Sequence, residues 1–335
     1  MVTLLQYESS LRMDNTSGLG SPFVFLGFLE MERYWIPYSI VALGLYLIPT
    51  MLCCLIVYVI WVEESLHEPM YVFISNLLLN GVFGNSVIFP QVIVYLLSGS
   101  STISFPGCIT QTFCVQTFST VEIFTFTTMA YDRYLAVGNP LRYSSLVTNT
   151  KALKYIIIIW AFTFLLVLVP VIMTTNLSFC GVNINNIFCE NMSLLRLACG
   201  DSSVNNIFGL VETLLVLVVT LLVIFYCYLR TLLICLKTSG STSHKAVNTL
   251  VTHILTFSVF MTASLFVFLR YRLNGGTISI MVHVLLSITG LLTSVIVNPI
   301  IYGLRTEALK IKLISSLQKK VSKCFLRKVA IEKTL

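Results

Sequence analysis

Long runs of apolar residues, separated by short polar segments, dominate the hydrophobic pattern of this chain. A helix that crosses a bilayer needs about 20 predominantly apolar residues, and seven segments are long enough. They lie at roughly 36–61, 70–97, 106–138, 152–173, 204–236, 246–270 and 277–302. The second fits least well, because Asn76, Asn80, Gly81 and Gly84 interrupt it. The pattern predicts an all-α fold, a seven-transmembrane helix bundle integral to a membrane.

The composition fits a membrane protein better than a soluble one. Hydrophobic residues make up 56% of the 335 residues, and charged residues only 10%. A soluble domain carries about 25% charged residues. No internal repeat or low-complexity linker divides the chain. We therefore expect one domain, with an amino-terminal tail at 1–35, the bundle at 36–302 and a cytoplasmic segment at 303–335.

The residues after the seventh segment alternate between apolar and basic positions at nearly helical spacing. The stretch reads LRTEALKIKLISSLQKKVSKCFLRK. Such a pattern is typical of an amphipathic helix that lies on the anionic inner leaflet of a membrane. We therefore expect a short helix after the seventh span, with the lipid bilayer as its partner.

The distribution of lysine and arginine predicts the orientation of the chain. If the amino terminus is outside, that side holds five of the 21 basic residues and the inner side holds 16. The outer five are Arg12, Arg33, Arg196, Arg270 and Arg272. Because basic residues accumulate in cytoplasmic loops, we expect an extracellular amino terminus and a cytoplasmic carboxyl terminus. The first 20 residues make a poor signal peptide, so insertion is expected to depend on a later, uncleaved segment.

Three sequons and four cysteines fall on the predicted outer side. Asn15, Asn176 and Asn191 each begin a motif that can be glycosylated outside the cell. Clustered cysteines that face an oxidising compartment are typical of disulfides, and four cysteines permit three pairings. The four are Cys108, Cys180, Cys189 and Cys199. The alternative, buried free thiols, is expected of the cysteines inside the spans, Cys53, Cys54, Cys114, Cys227 and Cys235.

Motifs of enzyme chemistry are missing from the sequence. It contains no GxxxxGK[ST], HExxH or GxSxG pattern. The four histidines are far apart, and no cysteine or histidine pattern has zinc-ligand spacing. We therefore expect no enzyme activity, no cofactor, no metal site and no nucleic-acid partner.

The third segment carries charged residues at two depths. Arg133 lies 25 positions after Cys108, about 37 Å along a helix, so these residues are expected near opposite membrane surfaces. Glu122 lies roughly 16 Å from Arg133, near the middle of the bilayer. An ionisable group at that depth is a candidate functional residue. The alternative is a protonated carboxyl group that is hydrogen-bonded between helices.

Asp132 and Arg133 can satisfy each other's charge at the inner end of the third segment. Breaking the pair would free a guanidinium with five donors for a protein partner. The pair would then act as a two-state switch. The alternative is an interfacial arginine that extends its charge to water.

Six stretches together resemble the olfactory (odorant) receptor family of rhodopsin-like G-protein-coupled receptors. Their residues are most similar to those of its fish-type branch. They are LHEPMY (66–71), FPGC (105–108), MAYDRYLAVGNPLRY (129–143), FCENMSLLRLACGD (188–201), KAVNTLVTH (245–253) and NPIIYGLR (298–305). The resemblance covers nearly the whole chain.

The resemblance implies a plasma-membrane receptor that binds a small-molecule odorant. It implies a stimulatory, olfactory-type heterotrimeric G protein as partner, which raises cyclic AMP. It pairs Cys108 with Cys189, and Cys180 with Cys199. It also assigns an activation switch to Asp132, Arg133, Tyr134, His253, Asn298, Pro299 and Tyr302.

The chain departs from the family pattern in several places. Asn80 and Gly81 stand where the second span usually carries an aspartate, which puts a sodium site built on Glu122 in doubt. Gly138 and Leu250 stand where cysteines are usual, and Cys53 lies near a usual asparagine position.

The resemblance places a ligand between the outer halves of spans three, five, six and seven. An apolar pocket with a few polar groups is the usual design of such a site, and packing between helices is the alternative for each residue. The candidates are Gln111, Cys114, Val115, Gln116, Phe118, Ser119, Asn205, Phe208, Gly209, Glu212, Met261, Thr262, Leu265, Phe266, Arg272, His283, Ser287 and Ile288.

Two further interpretations stay open at this point. Arg270 and Arg272 could bind an acidic ligand by charge-assisted hydrogen bonds, or extend to the membrane surface. Glu122 and Glu212 could line the ion path of a transporter or channel, which would make the chain a transporter rather than a receptor.

Overall fold

This computed structural model describes residues 22–237, 241–273, 280–305, 309–315 and 318. Within these residues, one long helix lies on each of the seven predicted apolar segments. The helices are α1 (Trp35–Val62), α2 (Pro69–Ser98), α3 (Phe105–Gly138), α4 (Asn149–Thr175), α5 (Ser203–Lys237), α6 (Ser241–Leu273) and α7 (Ile280–Leu292). A π-helical turn (Thr293–Val297) and a last helical stretch (Asn298–Arg305) continue α7. The predicted seven-helix bundle is confirmed.

Local sequence signals determine where several helices begin and end. Pro69 opens α2, where its missing N–H costs nothing. Gly99 ends the same helix in the left-handed conformation, with φ of 65°. The side chains of Ser104 and Thr148 accept hydrogen bonds from the first turns of α3 and α4.

Many apolar side chains lie on the outside of the bundle and hydrogen-bonded polar side chains lie inside it, as expected of a bundle surrounded by lipid. Ile48, Leu165 and Leu222 are all strongly exposed on helix surfaces, as expected of a bilayer-facing surface. Inside, Asn76 donates to Thr125 Oγ1 at 2.9 Å and accepts from Trp160 Nε1 at 3.0 Å. This hydrogen-bonded group ties α2, α3 and α4 together.

Four of the helices (α1, α2, α4 and α5) are long and apolar enough to cross a membrane by length and composition alone, among the described residues. Shorter apolar stretches lie in α6 at Leu250–Leu265 and in α7 at Ser287–Gly303. Helix α3 lies centrally and contacts α2, α4, α5 and α6. Its threonines and glutamines make it less apolar, because it faces protein rather than lipid.

A small three-stranded sheet covers the outer end of the bundle and was not predicted. Its central strand, β1 (Phe23–Phe25), pairs antiparallel with β2 (Thr102–Ile103) and parallel with β3 (Asn183–Ile184). The short helix Leu26–Met31 follows β1 and contacts α2 and α7. Phe23, Phe25, Phe28 and Met31 are buried, so this part of the predicted amino-terminal tail packs against the bundle.

The segment after α7 is helical over 309–315, in agreement with the predicted amphipathic helix. Leu309 is fully buried in the inner apolar core. Lys312 Nζ lies 2.8 Å from Glu63 Oε2 in the loop between α1 and α2. The helix is thus held against the inner surface by the apolar side chains of Leu309 and Leu313 and by the ion pair of Lys312.

Candidate functional site

A cavity of about 310 Å³ lies in the outer half of the bundle. Its walls come from α3, α5, α6 and α7 and from the loop between α4 and α5. Nine predicted ligand residues line it: Val115, Gln116, Phe118, Ser119, Asn205, Gly209, Glu212, Leu265 and Ser287.

Other predicted ligand residues lie elsewhere. Gln111 is used structurally, since its Oε1 accepts from the backbone N–H of Cys189 at 2.8 Å and its Nε2 donates to Gln91 at 2.7 Å. Met261 packs in the inner apolar core, and Thr262 is exposed and donates to Ser258 O. Cys114, Phe208 and Ile288 also lie outside the cavity wall. The side chains of Phe266, Arg272 and His283 lie outside the described residues.

The loop before α5 supplies lining residues that the sequence reasoning missed. Glu190, Asn191, Met192 and Leu195 face the cavity. The disulfide Cys108–Cys189 holds this loop against the outer end of α3. Since Glu190 follows directly after Cys189, the implied disulfide was the signal that could have located it.

Several polar atoms at the cavity wall have no hydrogen-bond partner among the described residues. They are Thr112 Oγ1, Gln116 Oε1, Asn205 Nδ2 and Glu212 Oε2. All four atoms are shielded from solvent. A buried polar group without a partner is costly, so these atoms are suited to hydrogen-bond a molecule that enters the cavity.

Below the cavity, Glu122 is fully buried and joins α2, α3 and α7. Within the described residues its carboxyl group accepts from Asn80 Nδ2 at 2.8 Å, from Asn298 Nδ2 at 2.7 Å and from the Ser294 hydroxyl. The described residues contain no group of three acidic, histidine or cysteine side chains that could hold a metal ion. The donors around Glu122 are amide and hydroxyl groups.

The inner end of α3 carries the predicted charged pair. Arg133 Nη2 lies 3.4 Å from Asp132 Oδ2, and Asp132 is almost completely buried. Tyr143, in the loop that follows, donates to Asp132 Oδ1 at 2.7 Å. Burial and the nearby Asp132 carboxylate raise the pKa of Tyr143, so its hydroxyl stays a donor at neutral pH. The Asp132 carboxylate is thus shared by two neighbours.

A second inner contact joins α6 to α7. His253 Nδ1 lies 3.1 Å from the Tyr302 hydroxyl, which also lies 3.2 Å from Thr256 Oγ1. All three side chains are buried. The predicted switch residues Pro299 and Asn298 are buried one turn earlier in α7, and Asn298 reaches Glu122. Tyr134 stacks edge-on against Tyr226 of α5.

The olfactory receptor family profile matches residues 42–320. The chain belongs to the olfactory receptor family. Human Olfactory receptor 10A6 is 32% identical over 86% of this chain and 91% of its own length. Mouse Olfactory receptor 6E1 is 33% identical over 86% of the chain and 87% of its own length. The chain is therefore a receptor rather than an enzyme, and a multi-pass membrane protein.

The structural comparison agrees with this family. Squid rhodopsin superimposes with a TM-score of 0.69 at 16% identity, over 88% of each chain. At that identity the match is evidence only of a shared fold. As a member of a family of G-protein-coupled receptors, this olfactory receptor has a small molecule and a G protein as partners, and the fish-type branch stays a prediction.

Outer features of this receptor agree with the pairing that the resemblance implied. The structure contains Cys108–Cys189 and Cys180–Cys199. Of the sequons, Asn15 lies outside the described residues. Asn176 is exposed, whereas Asn191 lines the cavity and accepts from Thr174 Oγ1 at 2.7 Å. These positions favour glycosylation at Asn176 over Asn191, and glycosylation itself stays a prediction.

Proposed function

We propose that this olfactory receptor binds an odorant in the outer cavity and activates a stimulatory, olfactory-type G protein at its inner face, which raises cyclic AMP. Its site residues are the cavity-lining members of the predicted set. Its switch residues are Asp132, Arg133, Tyr134, His253, Asn298, Pro299 and Tyr302. The amino terminus is extracellular and the carboxyl terminus is cytoplasmic in this proposal.

The single observation that carries the ligand site is the cavity with its unpartnered polar atoms. A volume of about 310 Å³ is at the lower end of the range of small-molecule sites. Apolar side chains such as Phe188, Leu265 and Phe268 line it alongside Gln116 and Glu212. Apolar walls with a few polar groups suit a small, mostly apolar molecule.

A continuous path of buried contacts supports coupling from the cavity to the inner face. Phe118 lines the cavity, and its backbone oxygen accepts from Asn80 Nδ2 at 3.0 Å. The same Asn80 nitrogen donates to Glu122, which accepts from Asn298 of α7. A ligand that moves α3 against α7 would therefore disturb the Glu122 group. The π-helical turn that contains Ser294 gives α7 a local irregularity of the kind often found at functional sites.

The inner charged pair supports the G-protein partner. The Arg133 guanidinium is mostly buried, and its Nε has no hydrogen-bond partner among the described residues. Its ion pair with Asp132 is long, at 3.4 Å. Release from Asp132 would give a partner's carbonyl or carboxylate groups access to a planar set of donors.

The distribution of basic residues supports the orientation. The inner side in this proposal carries 16 of the 21 lysines and arginines, in agreement with the positive-inside rule. The exposed Asn176 and both disulfides lie at the opposite end of the bundle, which faces the oxidising compartment in this proposal.

The test is an odorant screen on cells that express the receptor, with cyclic AMP as the readout. Arg133→Ala is expected to abolish the response to any activating odorant while surface expression is kept. Arg33→Ala removes an arginine from the outer surface and serves as the matched control with an unchanged response. A ligand-dependent membrane current in place of cyclic AMP, or a full response from Arg133→Ala, would contradict the proposal.

A further inference from the structure

The charges at the cavity wall are all of one sign in the part of the chain that the structure describes. Glu190 and Glu212 both line the cavity, and the described lining residues include no lysine, arginine or histidine. Two carboxyl groups in a small enclosure create a local field that attracts cations. The charge at this wall therefore indicates a cationic ligand.

The two carboxyl groups differ in how they are satisfied. Glu190 Oε1 accepts from Asn186 Nδ2 at 2.7 Å and from Ser193 Oγ at 3.4 Å, so it is anchored within the outer loop. Glu212 Oε2 is shielded from solvent and has no hydrogen-bond partner among the described residues. Glu212 is therefore the carboxyl group that is open to a ligand.

Two more acceptors at the wall of the same cavity are unpartnered. Gln116 Oε1 and Thr112 Oγ1, both on α3, line the cavity and have no partner among the described residues. Thr112 is 98% buried, since its exposed fraction is 2%. A carbonyl oxygen and a carboxylate accept hydrogen bonds, and a hydroxyl can do so. Together they call for a ligand that carries several donors on one group.

The rest of the wall is suited to the body of such a ligand. Phe118, Phe188, Phe260 and Phe268 contribute aromatic rings. Aromatic faces attract a cation as well as burying apolar surface. A carboxylic acid would instead meet two carboxyl groups without a described basic residue to pair with.

We infer that the outer cavity binds a protonated amine with an apolar body, whose ammonium group donates to Glu212 Oε2. Gln116 and Thr112 accept the remaining ammonium hydrogens. An ammonium group has three donors and no acceptor, which matches these three acceptors. The amine supplies the positive charge and the donors that these three acceptors lack, whereas Asn205 Nδ2 is itself a donor and is not satisfied by the ammonium group. This inference rests on the proposed function, because it names the ligand class of the same cavity.

The experiment measures ligand binding directly, on full-length receptor purified into nanodiscs without a G protein. The probes are primary alkyl and arylalkyl amines of about four to ten carbons, the size such a cavity admits. Each amine is compared with the alcohol and the carboxylic acid of the same skeleton, and binding is followed by the rise in melting temperature with ligand concentration.

We expect the best amine to bind at least about tenfold more tightly than its matched alcohol. Glu212→Gln keeps the shape of the side chain and removes its charge, so it should abolish this preference by weakening amine binding far more than alcohol binding. Asp201→Asn is the matched control. Hydrogen bonds from Ser203 lower the pKa of Asp201, so this variant also removes a carboxylate charge, at an exposed position just before α5.

Three results would overturn the inference: no amine binds more tightly than its alcohol, acids bind best, or Glu212→Gln weakens amines and alcohols equally. Preferred binding of acids would instead support the alternative that Arg270 and Arg272 bind an acidic ligand. Failure of the proposed function can be told apart from failure of the amine inference. Amines that bind without activating a G protein would contradict that function alone, and activation only by neutral or acidic odorants would contradict the amine inference alone.

Discussion

Two glutamates inside the bundle, Glu122 and Glu212, are opposite in their surroundings. Glu122 has no exposed surface, and within the described residues it accepts hydrogen bonds from α2 and α7. Glu212 is half-buried at a cavity wall, and its Oε2 lacks a described partner. Both lie in helices that cross the membrane, where an ionisable side chain is costly. The difference separates a residue that holds helices together from one that is open to a ligand.

Buried atoms without described partners occur in both halves of the molecule, in different settings. In the outer half, Gln116 Oε1 and Asn205 Nδ2 lie at the wall of a cavity. In the inner half, Arg133 Nε and His253 Nε2 lie beside Asp132 and Tyr302, which contact groups on neighbouring elements. A ligand can satisfy the outer atoms, whereas the inner atoms can be satisfied by a change of contacts at the inner face.

Replacing Glu122 should have the largest effect. Glu122→Ala leaves the Ser294 hydroxyl and the amides of Asn80 and Asn298 with fewer acceptors in a buried place, at a cost of at least about 3 kcal/mol. Glu212→Ala removes a side chain whose Oε2 has no described partner, and should change stability by less than about 1 kcal/mol. Melting temperatures of the purified variants measure this difference. Equal melting temperatures would show that the two glutamates contribute equally to the stability of the receptor, which would contradict the contrast.

Filling the cavity should abolish ligand binding without unfolding the receptor. A Cβ atom at Gly209, on the cavity wall, would meet no atom within 4 Å. Gly209→Phe therefore places a ring in open space, and should weaken odorant binding by about 30-fold or more, about 2 kcal/mol. Gly44→Phe is the matched control, since Gly44 of α1 is equally open and lies outside the cavity wall. Normal odorant binding by Gly209→Phe would show that the odorant does not bind in the cavity.

Loosening the inner charged pair should have the smallest effect of these changes. Tyr143→Phe removes the hydroxyl that donates to Asp132, a hydrogen bond worth about 1 kcal/mol. If this bond helps Asp132 to hold Arg133, ligand-independent cyclic AMP should rise about fivefold. Tyr155→Phe, on the exposed side of α4, should leave it unchanged. A fall in basal signalling of Tyr143→Phe at equal surface expression would contradict this role.

The sequence predicted the helices well because each needs a long apolar run that few other structures require. It missed β1, since a strand of three residues has no readable period and its partners lie far away at Thr102 and Asn183. The burial of Phe23 and Phe28, inside the predicted amino-terminal tail at 1–35, was missed for the same reason. Contacts of this kind depend on how the helices are arranged, which local pattern does not encode.

The residues that line the outer cavity were predicted only in part, because helical spacing gives the depth of a residue more reliably than the direction of its side chain. Their role in ligand binding stays a prediction. Gln116 and Glu212 lie at the expected depth and face the cavity. Gln111 lies at about the expected depth, but its Oε1 already accepts a hydrogen bond from the backbone N–H of Cys189. Glu190 lies in a loop without periodicity, so only its neighbour Cys189 indicated its position.

The most direct test of the central claim is nucleotide exchange on a purified stimulatory G protein by receptor in nanodiscs. We expect that an odorant bound in the cavity accelerates nucleotide exchange, and that the Arg133→Ala receptor binds the same odorant without accelerating exchange. An odorant that binds the wild-type receptor but leaves exchange unchanged, or an Arg133→Ala receptor that accelerates exchange as well as wild type, would contradict it.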